Sequence, residues 1–127
     1  MTFVIELPWP PSVNDANKIG KNRKTGKPVV YGNQSMVKFL KDADILYLSQ
    51  AKQLKFVPGE FTYHLTLNEK MRGPTMDGDN RGKYVLDFLQ RVGLIENDKL
   101  AHGGSWSWGA CEFGCRVIVK SYEREAA

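Results

Sequence analysis

Apolar and polar residues alternate along this chain with two different periods, and the changes of period mark its elements. Phe3, Ile5 and Leu7 fall on one side of the N-terminal stretch, with Thr2 and Glu6 among the others, the period-two signature of a strand over residues 2–7. Pro8, Pro10 and Pro11 end it, because proline donates no ladder hydrogen bond. A polar loop or ribbon follows from Ser12 to about Pro28, with residues 22–26 (Asn-Arg-Lys-Thr-Gly) reading as a hairpin tip. Over residues 34–55 the period becomes helical. Met36, Leu40, Ala43, Tyr47, Ala51 and Leu54 recur at three- and four-residue steps, Val37 and Leu48 widen the stripe, and Lys38, Lys41, Asp42, Gln50 and Lys52 take the other side. Pro58-Gly59 closes that helix.

Alternation returns over residues 60–68, with Phe61, Tyr63, Leu65 and Leu67 on one face of a half-buried strand. Residues 70–76 form a loop. A second helix is expected from Asp79 or Asn80 to about Val92, burying Val85, Phe88, Leu89 and Val92 and stopped by Gly93. Asp77 or Asp79 suits its N-terminus, where a carboxylate caps free N–H groups and complements the dipole. After a turn at 94–99, residues 100–108 and 111–122 read as two further strands with Gly109 between them. The order β, loop, α, β, α, β, β predicts one α+β domain over residues 1–127, a small mixed sheet with the two helices packed on one face.

Composition changes this picture little. A chain of 127 residues, 42% hydrophobic and 25% charged, is that of an ordinary globular domain. Its net charge of +4 informs only where the cations are concentrated. Cys111 and Cys115, placed on one predicted strand, would lie about 13 Å apart at ~3.3 Å per residue, too far for a disulfide. Without a nearby histidine pair they are also a poor zinc signature, so they read as thiols of a reducing compartment. The sequence shows no apolar run of roughly 18 residues and no charged-then-apolar leader, which gives an expectation of a cytoplasmic protein without a membrane span.

The chemistry concentrates at residues 77–83. Asp77 and Asp79 are two apart, so on an extended stretch both carboxylates point the same way and can meet one ion. Mg²⁺ takes hard oxygen ligands and keeps several waters, so two or three carboxylates suffice. Gly78 between them lets the backbone approach a bulky group. Lys83, four residues after Asp79, falls one helical turn on, and Asp98 follows the second helix in a turn that can return toward it. Carboxylate-held metal ions activate water and neutralise phosphate charge, and a lysine beside them stabilises the charge that develops during phosphodiester hydrolysis. The spacing equally allows a helix cap with a solvated charge, an Asp79–Lys83 ion pair, and an Asp87 paired with Lys83 rather than acting as a ligand.

Longer strings carry a resemblance. Asp77-Gly-Asp79-Asn80-Arg-Gly-Lys83-Tyr-Val-Leu86-Asp87-Phe-Leu89, then Gly93-Leu-Ile-Glu-Asn-Asp98, resembles the signature of the RusA family of Holliday junction resolvases. The opening Leu7-Pro-Trp-Pro-Pro11-Ser12-Val-Asn14 is similar to that family's start. The resemblance implies a RusA-like α+β fold and a homodimeric, Mg²⁺-dependent endonuclease of phage or prophage type, with Mn²⁺ as the alternative ion. Such an enzyme resolves four-way DNA junctions by paired symmetric nicks in recombination and repair. By position, Asp77, Asp79 and Asp98 match the family's metal-binding aspartates and Lys83 its essential lysine. Gly78 stands where an apolar residue is usual, and Met76 where a basic residue often precedes the first aspartate; Lys70, Arg72 and Arg81 are the candidate substitutes for that cation.

Lys18, Lys21, Arg23, Lys24 and Lys27 place five cations within ten residues, a loop suited to following a phosphate backbone without reading sequence. Trp106 and Trp108 share one face of a strand, and Trp9 lies among prolines. Packing in the core or a dimer interface is the favoured use of these rings, stacking on exposed bases the alternative. His64 and His102 have no partner in the pattern and receive no role. The competing functional readings are a nucleotide pyrophosphohydrolase, which would carry Glu-rich helices where this chain has only Asp42 and Asp44, and a non-catalytic DNA-binding module.

Overall fold

The computed structural model describes residues 1–12, 18–21, 28–31, 33–73, 78 and 81–123, of which 18–21, 28–31 and 33–35 as backbone. The elements in chain order are β1 (Thr2–Leu7), β2 (Lys18–Lys21), β3 (Pro28–Tyr31), α1 (Asn33–Gln50), β4 (Phe61–Asn68), α2 (Gly82–Arg91), β5 (Ala101–Gly109) and β6 (Cys115–Ser121). Four strands form one mixed sheet in the order β1-β6-β4-β5, and β2 pairs with β3 in a separate antiparallel ribbon. The fold is therefore α+β, with a small mixed open sheet and two helices.

The strand periods decide which face is covered. Phe3, Ile5 and Leu7 lie opposite Val119, Val117 and Cys115, which in turn lie opposite Tyr63, Leu65 and Leu67. All of these except the half-buried Tyr63 are buried, in one cluster that also takes Phe39 and Ala43 from α1 and Val85, Leu86, Phe88 and Leu89 from α2. Phe88 joins the helices, meeting Phe39 edge-on at 6.2 Å and Tyr47 at 6.4 Å between ring centroids. Both helices thus cover one face, as the alternation predicts. The opposite face carries Val4, Glu6, His64, Thr66, Arg116 and Ile118.

β4 and β5 run parallel with α2 between them, because a parallel pair needs a crossover connection. β6 then enters on the other side of β4, so the consecutive strands β5 and β6 are not neighbours. The connection at 110–114 is longer than the single Gly109 expected, and it removes Cys111 from the strand that Cys115 opens. The two thiols are free, but not as two same-face positions of one strand. Cys111 donates to the Thr66 carbonyl at 3.3 Å and Cys115 to the Pro8 carbonyl at 3.4 Å.

The first helix differs from its predicted stripe. Phe39, absent from that stripe, is buried, whereas Val37 and Leu48 are 56% and 73% exposed. Gln50, expected on the polar side, turns to β1. Its amide nitrogen donates to the Glu6 carbonyl and its oxygen accepts from the Glu6 N–H, both at 2.8 Å. The side chain so occupies backbone groups on the outer edge of β1, which would otherwise stand open to another strand. The α-helix ends at Gln50, and residues 51–53 continue as a 3-10 turn. No helix among the described residues is long and apolar enough to cross a membrane.

Candidate functional site

α2 presents the helical part of the candidate chemistry. It begins at Gly82, later than the Asp79 or Asn80 expected, and its N-cap Arg81 makes no side-chain capping bond. Asp77, Asp79 and Asn80 lie outside the described residues, and with them the proposed carboxylate pair, the cap, and the turn relating Asp79 to Lys83. Lys83 is exposed in the first turn of α2, where the free N–H groups of a helix already favour an anion. Asp87 follows one turn later on the same face.

Asp98 is delivered to that face by the chain reversal after α2. Gly93, at φ 80°, ends the helix, with its N–H bonding to the Gln90 carbonyl and that of Leu94 to the Leu89 carbonyl. This double bond is the Schellman arrangement, in which glycine takes the left-handed position at least cost. Leu94 and Ile95 then sink into the core, and the Val57 N–H bonds to the Leu94 carbonyl at 2.9 Å. Asn97 caps the short turn Asp98–Leu100 by accepting from the Lys99 N–H at 2.9 Å. Gln90 of α2 accepts from the Asp98 N–H at 3.0 Å, tying that turn to the helix.

The result is a carboxylate pair between Asp87 and Asp98. Burial pushes the Asp87 carboxyl above its ordinary range, and the neighbouring Asp98 charge and a hydrogen bond to Asp98 push it the same way. Lys83 pulls in the opposite direction, more weakly than burial or Asp98 charge. Asp87 is therefore a neighbour of Asp98 as well as of Lys83, a relation that ion-pair spacing alone did not reveal. Its i, i+4 distance from Lys83 was legible; the return of Asp98 onto it depends on Gly93 and on the burial of Leu94 and Ile95. Among the described residues no three His, Cys, Asp or Glu side chains gather into a metal-sized group, and Asp77 and Asp79 are not among those residues.

The cations expected to meet DNA are placed unevenly. Lys70 and Arg72 are exposed after β4, and the Arg72 guanidinium lies 5.6 Å from the centre of the Trp108 ring. Arg81 is only 6% exposed; it donates to the Pro10 carbonyl at 2.7 Å and covers the Trp9 ring at 4.5 Å. It thereby clamps the proline-rich opening against the start of α2. Lys18 and Lys21 occupy the ends of β2, opposite Tyr31 and Pro28, while Arg23, Lys24 and Lys27 lie outside the described residues.

Three further placements escaped sequence reasoning. Trp106 rests on Gly78, where an added Cβ would fall 2.4 to 2.7 Å from three carbons of the indole ring. His64 stands between two serines of β5, its Nδ1 2.7 Å from Ser105 Oγ and its Nε2 2.8 Å from Ser107 Oγ. The partners of His64 come from parallel register, which a period-two pattern does not encode. His102 stacks on Tyr122 with centroids 3.7 Å apart. No family model matches this chain, and no curated protein matches it.

Proposed function

We propose that the chain is a Mg²⁺-dependent, structure-specific endodeoxyribonuclease that resolves four-way junctions by paired symmetric nicks. The observation that supports this most is the convergence of Asp98 on the Lys83–Asp87 face of α2, directly downstream of Asp77 and Asp79 in sequence. It joins the two separated parts of the motif that resembles the RusA family. The donor chemistry fits a hard divalent ion, since the negative charge beside Asp87 that raises its affinity for a proton also favours a cation.

Asp77, Asp79 and Asp98 would hold that ion, with Mn²⁺ as the alternative to Mg²⁺, and Asp87 would support Asp98 from the helix. Bound there, the ion supplies charge neutralisation on the phosphate and a more acidic water. Lys83, exposed at the positive end of α2, adds a fixed cation for the phosphate oxygens as negative charge develops. Lys70 and Arg72 stand on the surface to guide the backbone, and Lys18, Lys21, Arg23, Lys24 and Lys27 would extend that contact along the duplex arms. Arg81 would act by holding Trp9 and Pro10 rather than by touching DNA. A C2 homodimer would present two such sites to the two-fold symmetric junction.

Incubation with a synthetic four-way junction, a linear duplex and a nucleoside triphosphate, each with Mg²⁺ and with EDTA, tests the proposal. The expected result is symmetric nicking of the junction alone, abolished in Asp79→Asn and Asp98→Asn while junction binding is kept or tightened. Hydrolysis of the triphosphate without junction cutting would make the protein a pyrophosphohydrolase. Binding without any cleavage would make it a non-catalytic DNA-binding module.

A further inference from the structure

All three tryptophans of the chain gather on one patch beside Gly78. Trp9 stacks on Trp108 with centroids 6.0 Å apart and planes 18° apart, and Trp106 meets Trp108 edge-on at 6.0 Å. Arginines hold the first two rings, Arg81 over Trp9 and Arg72 over Trp108. Trp9 and Trp108 are partly buried against the core, which accounts for them as packing. Trp106 is different. Its register places it opposite Leu65 on the covered face, yet it remains 41% exposed.

Beside Trp106 a cavity of about 150 Å³ opens between its ring and that of Tyr63. Leu65, Gly78, Gly82, Gly104 and Ser105 line the rest, so that three of its seven lining residues present only backbone. Tyr63 lies directly on Gly104, where a Cβ would fall 2.2 Å from its ring, so the glycine is what lets that ring sit so close to β5. A water takes roughly 30 Å³, so the space admits a single planar ring but not a base pair. The Tyr63 hydroxyl lies at its α2 end, 3.3 Å from where a Cβ of Gly82 would stand. Lys83 follows Gly82 directly, and Arg72 stands over Trp108, so cations for a flanking phosphate are close at hand.

We propose that Trp106 and Tyr63 form a binding site for one unpaired nucleobase, which stacks on the Trp106 indole next to the candidate cleavage site. This rests on reading that site as a phosphodiesterase centre. An aromatic face with neighbouring cations binds single-stranded bases with little sequence preference, whereas a base inside a duplex is already stacked on both sides. At the branch point of a four-way junction, stacking is interrupted and a base can leave at small cost. The site would thus favour branched over linear DNA without reading sequence.

The test uses the full chain in EDTA, with a four-way junction carrying 2-aminopurine at each branch-point position in turn and the matching linear duplex. Wild type should quench the probe at one branch-point position in the junction and leave it unchanged in the duplex. Trp106→Leu, which keeps an apolar side chain without a stacking face, should weaken junction binding by roughly tenfold, the scale of one base–aromatic stack. Trp106→Phe should restore most of the affinity, and duplex binding should be the same in all three proteins. Wild-type affinity in Trp106→Leu, or no quenching by wild type at any position, overturns the base site while leaving the endonuclease proposal intact. Failure of wild type to bind the junction in EDTA, or to cut it once Mg²⁺ is supplied, overturns both. The quenching measurement needs no variant and decides the matter even if Trp106→Leu does not fold.

Discussion

Gly78→Ala places one methyl group where the structure has an indole ring. The added Cβ would lie 2.4 Å from Trp106 Cζ3, 2.6 Å from Cη2 and 2.7 Å from Cε3. Ordinary carbon contacts are about 3.5–4.0 Å, so either the ring or the backbone at residue 78 must move by about 1 Å. The ring has little freedom, because Trp108 meets it edge-on and is itself held between Trp9 and Arg72. Overpacking of this kind costs about 1–3 kcal/mol. In a domain of this size each kcal/mol lowers Tm by roughly 3–6 °C. The assay is urea unfolding followed by circular dichroism, run as a double-mutant cycle with Trp106→Ala. Removing the indole removes the clash, so the double variant should be little less stable than Trp106→Ala alone. The coupling should recover most of the Gly78→Ala cost, about 1–3 kcal/mol. Strict additivity, or a Gly78→Ala cost below about 0.5 kcal/mol, would refute the contact between Gly78 and Trp106.

Three other outcomes follow from the same geometry. Mg²⁺ should raise Tm with the logarithm of its concentration above Kd, by about 2.7 kcal/mol of stability at a hundredfold excess over Kd; a thermal melt series that shows no shift, or the same shift in Asp98→Asn, would remove Asp98 from the ion's ligands. Asp87→Asn should stabilise the metal-free protein at neutral pH by a few tenths of a kcal/mol, the scale of a solvent-exposed charge pair. Because the folded-state pKa of Asp87 is raised, its favourable contribution is present below the ordinary carboxylate range and lost as pH rises through the folded value, so the advantage of the variant should appear above that range and vanish near pH 3. Iodoacetamide should modify Cys111 slowly and only at raised pH, since burial lifts its pKa, and Cys115, buried and lifted far higher, should react only on unfolding; equal rates for both thiols in the folded protein, read by mass spectrometry, would contradict their placement.

The parts of the fold that the chain announces are those set by local period. Phe3, Ile5 and Leu7, and Phe61, Leu65 and Leu67, alternate because each strand buries one face, and the structure buries all six. What the pattern does not carry is which strands meet. β5, rich in Gly and Ser, reads the same beside β4 or β6, and its parallel place next to β4 follows from the α2 crossover. Gln50 looked polar and solvent-facing because its helical position says so, while its hydrogen bonds to Glu6 depend on where β1 passes. The same division holds at the candidate site. Lys83 and Asp87 are one turn apart on any helix, so their shared face was legible. The closeness of Asp87 to Asp98 was not, because it depends on how Gly93 turns the chain and how Leu94 and Ile95 bury.

Gly78 has a steric counterpart in β5. Gly78 leaves a space that Trp106 occupies from β5. The indole from β5 couples Gly78 to Trp108, Trp9 and, through Arg81, the start of α2. Gly78 and Trp106 should therefore exchange only together. Gly78→Leu alone should be strongly destabilised by the same overlap that penalises alanine, and Trp106→Ala alone should leave Gly78 without its cover. The combined Gly78→Leu, Trp106→Ala protein should regain stability over either single change while losing the ring that faces the Tyr63 cavity. If junction cutting returns with stability in that protein, the indole serves only to pack on residue 78; if stability returns without junction affinity, the indole is the surface on which the DNA rests.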